Sequence, residues 1–186
     1  MAGTPPILKP VGVGFVGLDI GPSTIAAYSG NMVTKEVFCE SVVEPANEYR
    51  RIQRAMDRSR RATNPDCFDE KGRFKKGHKI KNRSKRYQVL ATKKQERQRR
   101  IAADRKRAHG EMANRILARG NVIKTEKLSY KAFQKRFGRS VNRRAPATFV
   151  NMLVRKAANA GGHTLLINTW HTRLSQFDHT TKDYVK

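Results

Sequence analysis

Acidic residues are scarce in this chain: 15 Asp+Glu stand against 40 Lys+Arg, a formal net charge of +25 on 186 residues. Self-repulsion on that scale destabilises a compact state and argues against an enzyme of small metabolites. A polyanionic partner would remove the penalty by neutralisation and counterion release. Cysteine is scarcer still. Cys39 and Cys67 are the only thiols and form no paired motif, which argues against a disulfide framework and against a zinc site built from cysteine alone. Long apolar runs are missing as well. The stretch from Val11 to Leu18 is too short for a membrane span and lacks the basic lead-in of a signal peptide. No membrane partner is expected, and a cytoplasmic location is.

What is present points to nucleic acid. At 38% hydrophobic the chain can build a real but small core, and its length allows one domain or one domain with a helical insertion. Residues 1–12 read as a leader. Over 13–46 come three short β-branched or aromatic runs, VGVGFVGLDIG, STIAAYSG and KEVFCESVV, separated by Gly, Pro or Asn. Gly30-Asn31 is a hairpin signal, so the chain is expected to open as an antiparallel meander.

The pattern changes at Asn47, and residues 47–119 read as a basic helical insertion. Over 47–62, Ile52, Ala55 and Met56 share one helical face, and Arg50, Arg51, Arg54, Arg58, Arg60 and Arg61 surround it. Asn64-Pro65 stops this helix, and 66–84, rich in Gly, Lys and Asn, reads as loop or linker. A longer helix follows over 85–119. Its ends carry apolar residues, but its middle, TKKQERQRR, has none and places Lys93, Lys94, Arg97, Arg99 and Arg100 together. A helix polar all round suits either a solvated arm or a charged ligand. The shared sign of both helices favours a hairpin laid along a phosphate backbone.

Residues 120–186 return to strand at Val122–Glu126. A basic loop follows, with Arg136, Arg139, Arg143 and Arg144, then a helix over 147–160 with Pro146 in its first turn, and a strand in HTLLINTW. The order βββ, helical pair, β, α, β is an α/β architecture.

Two acids stand out by position. Asp19 closes the apolar run of Phe15, Val16 and Leu18, and a carboxylate inside a core strand is costly unless something pairs with it, a divalent metal being the usual partner. Glu126 ends the next strand of this kind. Carboxylates on neighbouring strands are how a pair of metal ions, about 3.5–4 Å apart, is held for phosphodiester cleavage. Taken singly, each acid reads better as a strand-end carboxylate. His171 and His179 are possible metal contacts, whereas His78, His109 and His163 read as bystanders.

Three strands with Asp on the first, then a fourth ending in Glu, follow the RNase H-like plan, and the wording is closer than the plan. GLDIGPSTIA resembles the first motif of RuvC-type nucleases and IKTEKLSY the second. IQRAMDRSRRATNP, YKAFQKRFGRSVNRRAP and RKAANAGG resemble one family, the TnpB (OrfB-type) transposon nucleases and the small CRISPR effectors related to them. The resemblance covers about residues 13–186. It implies an RNase H-like (RuvC) mixed sheet with a basic helical insertion, and a prokaryotic DNA endonuclease guided by RNA. It further implies Mg²⁺ or Mn²⁺ held by Asp19 and Glu126 as the first two of three acids, with guide RNA and target DNA on the basic residues named above. The family carries a zinc ribbon and a third-acid helix after the stretch that contains Leu174-Ser175-Gln176. Here Phe177-Asp178-His179 follows instead, and Asp178 and Asp183 read as turn carboxylates. The third acid is therefore expected from outside these residues, or from a second chain completing the site. Three other readings stay open: RNA-guided binding without cleavage, a ribosomal-type RNA-binding protein, and a sugar-kinase or actin-like phosphotransferase.

Overall fold

A computed structural model of the chain describes residues 9–30, 32–43, 45–172, 176–178 and 180–184, with the backbone alone for Trp170. The chain divides into two compact units: one formed by the residues up to Val42 and from Arg105 onward, the other by Val43–Asp104.

The first unit is built on a five-stranded mixed sheet, so the protein is α/β. β1 (Phe15–Ile20), β2 (Thr24–Ser29) and β3 (Met32–Val37) form the expected antiparallel meander. β4 (Val122–Glu126) and β5 (His163–Ile167) join it, with β4 parallel to β1 and β5 parallel to β4. The spatial order is β3-β2-β1-β4-β5. Alternation decides which way each residue points. Val16, Leu18 and Ile20 of β1, Ile25 and Ala27 of β2, and Ile123 and Thr125 of β4 are buried on one face. Phe15, Asp19, Tyr28 and Lys124 fall on the other and are exposed.

The third strand begins and ends earlier than its sequence suggests. A two-residue connection pairs Ser29 with Met32, and the strand stops at Val37 opposite Thr24, the first residue of β2. Gly30 has φ +56°, a left-handed conformation that suits glycine; Asn31, the other half of that turn signal, lies outside the described residues. Phe38, Cys39 and Val42 then leave the sheet and enter the core, all three buried.

Three longer helices complete this unit. α2 (Lys85–Leu117) ends in it, burying Ala108, His109, Met112, Ala113, Ile116 and Leu117. α3 (Tyr130–Arg144) occupies the segment expected to be a basic loop. Tyr130, Phe133 and Phe137 recur at helical spacing there, with consecutive rings 6.3 and 6.4 Å apart. A local departure from helical geometry at Phe137, beside Gly138, accounts for the broken pattern in the sequence. Ala145, with φ +46°, turns the chain into α4 (Pro146–Asn159), where Pro146 occupies the first turn and Phe149, Val150, Leu153 and Ala157 are buried. A short helix, α5 (Thr169–Thr172), follows β5.

The sheet is tight where its parallel strands begin. A Cβ on Gly120 would lie 2.6 Å from the Gly14 carbonyl oxygen, and one on Gly162 would lie 2.0 Å from that of Asn121. Backbone meets backbone here, and Val122 N–H donates to Gly14 O at 3.0 Å while His163 N–H donates to Asn121 O at 3.0 Å.

The second unit is an antiparallel helical hairpin of α1 (Ala46–Thr63) and the first part of α2. Arg97 pairs with Glu48, Lys94 donates to Gln53 at 2.6 Å, and the Ser59 and Ser84 hydroxyls meet at 2.6 Å. The segment between the helices is pinned at its ends by Asn64. Its amide donates to Asn82 O at 2.8 Å and its side-chain oxygen accepts Asn82 N–H at 3.1 Å, a reciprocal pair that imitates a backbone ladder. Among the described residues no helix is long and apolar enough to cross a membrane.

Candidate functional site

Asp19 and Glu126 are neighbours by register. β1 and β4 are parallel and pair Leu18 with Thr125, so one residue further along both strands come Asp19 and Glu126. Both follow a buried residue and therefore share the opposite, open face, on strands about 4.8 Å apart. Asp19 is exposed and Glu126 half-buried. This corrects the reason first given for Asp19: its strand is buried on one face only, and the carboxylate lies on the other, so no desolvation has to be offset. What singles out the pair is juxtaposition at the C-terminal ends of adjacent parallel strands, where open α/β sheets take their ligands.

The loop after Asp19 is held from several sides. Gly21 N–H donates to Thr24 O at 2.9 Å, Phe38 N–H to Ser23 O at 2.9 Å, and the Ser140 hydroxyl to Pro22 O at 2.5 Å. Arg144 ties these contacts together. It donates through Nε to Phe38 O and through a terminal nitrogen to the Ser140 hydroxyl, both at 2.6 Å. The chain leaving Glu126 is fixed by Lys127 N–H donating to Ile167 O at 2.8 Å. FGRSVNRR thus anchors the acid-bearing loop from α3.

This overturns one expected nucleic-acid contact. Arg144 is 6% exposed with its guanidinium committed to the protein, so it is not available to a phosphate. His109, read as a bystander, is a core residue. It is fully buried, stacked on Phe38 and edge-on to Phe149, with centroids 5.6 and 5.4 Å away. The helical stripe of Ala108, Met112, Ala113 and Ile116 was the signal that could have found it.

The remaining cationic candidates separate by what they touch. In the first unit Arg136 and Arg139 are exposed and Arg143 is half-buried. In the second, Arg50, Arg51, Arg54, Arg58 and Lys93 are exposed. Arg60 and Arg61 lie over the Phe68 ring, each 5.9 Å from its centroid, and Arg60 also reaches Asp57. Lys94 and Arg97 are half-buried and join the two helices. Arg99 and Arg100 clasp Glu96, and their hydrogen bonds hold its carboxyl down at about 2. An exposed pair of this kind contributes little to stability, so both arginines can exchange Glu96 for a phosphate.

As a metal centre the acid pair is partial. Mg²⁺ is commonly held by one or two carboxylates, with water and substrate phosphate filling its other positions, and Asp19 with Glu126 fits that donor set. Among the described residues no group of three or more His, Cys, Asp and Glu side chains is placed to hold a metal. Asp178 is used by its own turn, where it accepts Thr180 N–H at 2.7 Å, and Asp183 is exposed. His171 is exposed; Leu174, Ser175 and His179 lie outside the described residues. Cys39 and Cys67 are buried free thiols, and burial pushes Cys39 up to about 11.

No protein-family model matches the chain, and no curated protein matches it.

Proposed function

We propose that the chain carries an RNase H-like, RuvC-type nuclease core of the TnpB kind, that of an RNA-guided DNA endonuclease. Its third carboxylate is contributed from outside the described residues or by a second chain. The observation that carries this reading is the side-by-side placement of Asp19 and Glu126 on parallel strands of a sheet ordered β3-β2-β1-β4-β5. Bound there, Mg²⁺ or Mn²⁺ would supply an activated water and stabilise the leaving oxygen of a phosphodiester. The chain's own contribution is to hold the two carboxylates at one level through the β1–β4 pairing, with the Ser140 and Arg144 contacts fastening the turn after Asp19. Exposed cations such as Arg50, Arg54, Arg58, Arg136 and Arg139 meet the phosphates of guide RNA and target DNA.

A specific observation favours a second reading, RNA-guided DNA binding without cleavage: the absence of a third acidic ligand among the described residues. One experiment separates the two. Mn²⁺ uptake is followed by electron paramagnetic resonance on the chain bound to guide RNA and target DNA, and Mg²⁺-dependent cleavage is scored on the same samples. The nuclease reading expects uptake that falls at least ten-fold in Asp19→Asn and in Glu126→Gln with nucleic-acid affinity retained, and product formation in the wild type alone. Uptake without product, even after a chain bearing the missing acid is added, selects the binding reading. Equal uptake by all three proteins sinks the site.

A further inference from the structure

The open face of the sheet carries a second constellation, upstream of the acids on the same strand. Phe15 and Tyr28 are 62% and 56% exposed, values at odds with large rings that have a core available to them. Both flank Gly17. The register pairs Gly17 with Tyr28 on β2 and with Lys124 on β4, so a bare backbone position lies between an aromatic ring and a cation. A Cβ built on Gly17 would meet nothing within 4 Å. The Lys124 ammonium lies 4.1 Å from the centroid of the Phe15 ring, and Arg119 closes the rim. Together they line an open concavity of about 660 Å³.

We infer that this face is a stacking platform for an unpaired base of single-stranded nucleic acid. A base has two flat apolar faces and an anionic backbone. The concavity offers two rings beside a cleared floor, Phe15 two residues away on the same strand and Tyr28 on the next, with cations at the edge. Sequence-tolerant single-strand sites are built this way, from aromatic stacking and cationic tracking of the phosphates. A protein partner would find the rings equally attractive. The net charge of +25 and the two cations on the rim make a polyanion the complementary occupant. The floor at Gly17 lies about 7 Å from the acid pair, two residues along β1 at ~3.3 Å each, and Phe15 lies about 13 Å from Asp19. The inference rests on the chain's being a nucleic-acid-binding protein; it does not need the acid pair to hold a metal.

The test uses the full chain and an oligothymidine carrying one internal 2-aminopurine and a terminal dye. Anisotropy of the dye reads binding, and 2-aminopurine emission reads stacking. The wild type is expected to bind with a change in emission. Phe15→Ser and Tyr28→Ser should each lose roughly ten-fold in affinity and most of the emission change, while Phe15→Tyr and Tyr28→Phe keep both. Gly17→Leu, which has room to fold, should occupy the floor and abolish the emission change. Lys124→Gln should lower the slope of log K against log salt by about 0.7 and leave the emission change in place. Binding with an emission change that is the same in the wild type and the serine and leucine variants would overturn the platform alone. Self-association that these variants abolish, without effect on the emission, would overturn it in favour of a second copy as occupant. A wild type that binds no nucleic acid would overturn the broader reading as well.

Discussion

The imidazole of His109 lies parallel to the ring of Phe38, 5.6 Å between centroids and 3° between planes, and its Nε2 sits 2.7 Å from the Arg144 carbonyl oxygen. A carbonyl can only accept, so Nε2 carries the proton and the ring is held in one tautomer. Burial lowers its proton affinity below the ordinary 6.5, against the opposing pull of that carbonyl, and the charge of Arg105 adds to the lowering. The unfolded chain takes up a proton that the folded chain refuses. Stability is therefore complete above about pH 6.5 and falls as pH drops toward the depressed folded value. Thermal melts of the wild type should show this loss. In His109→Leu the acid slope should flatten, at a cost of about 1–3 kcal/mol at neutral pH because the Arg144 carbonyl is left buried without a donor. An unchanged slope in the variant would assign the acid sensitivity elsewhere.

Arg144 and the arginines of α1 should fail in opposite ways. Arg144→Ala removes charged hydrogen bonds to Phe38 O and Ser140, and a loss of about 1.5–3 kcal/mol in urea unfolding is expected, with little change in nucleic-acid affinity of the folded protein. Arg50, Arg54 and Arg58 recur every fourth residue and are exposed. Replacing all three with alanine should leave stability within about 0.5 kcal/mol. For duplex binding, the same triple variant should lower the slope of log K against log salt by roughly 0.9 per residue. A triple variant whose slope matches the wild type would remove α1 from the interface.

Two glycines on the sheet make a matched pair. Gly162→Ala puts a methyl group 2.0 Å from the Asn121 carbonyl oxygen, backbone that cannot step aside without disturbing the start of β4 and β5. Its cost should reach the upper part of the ~1–3 kcal/mol range for overpacking. Gly17→Ala enters open space and should be neutral or stabilising by about 0.5–1 kcal/mol, the usual gain over glycine inside a strand. Calorimetric melting temperatures that move together would contradict this contrast.

Much of the sheet was legible because alternation is a local signal. The three opening runs, the Val122–Glu126 strand and the proline-led α4 all correspond to elements of the fold. α3 was hidden because Gly138, Ser140 and six Lys or Arg residues mask an aromatic stripe of helical period. The end of β3 was misplaced because Phe38 and Val42 continue the apolar text after the partner strand has run out. Of the site, the two acids could be named from their strands, but their shared level depends on a pairing between segments more than 100 residues apart, which no window of sequence contains. Arg144 looked like its basic neighbours. Only its contacts distinguish a clamp from a surface charge.

Those contacts carry a consequence for synthesis. The Pro22 carbonyl waits for a hydroxyl 118 positions later, and the Phe38 carbonyl for a guanidinium 106 positions later. Such distant closures are slow, because the chain between them must be confined before the contact repays it. On the ribosome, Asp19 emerges early in a meander whose following loop lacks two of its fasteners until α3 has been made. Both acid-bearing strands precede α3 in the chain, so the order of translation lets β1 and β4 pair before the turn after Asp19 is fastened.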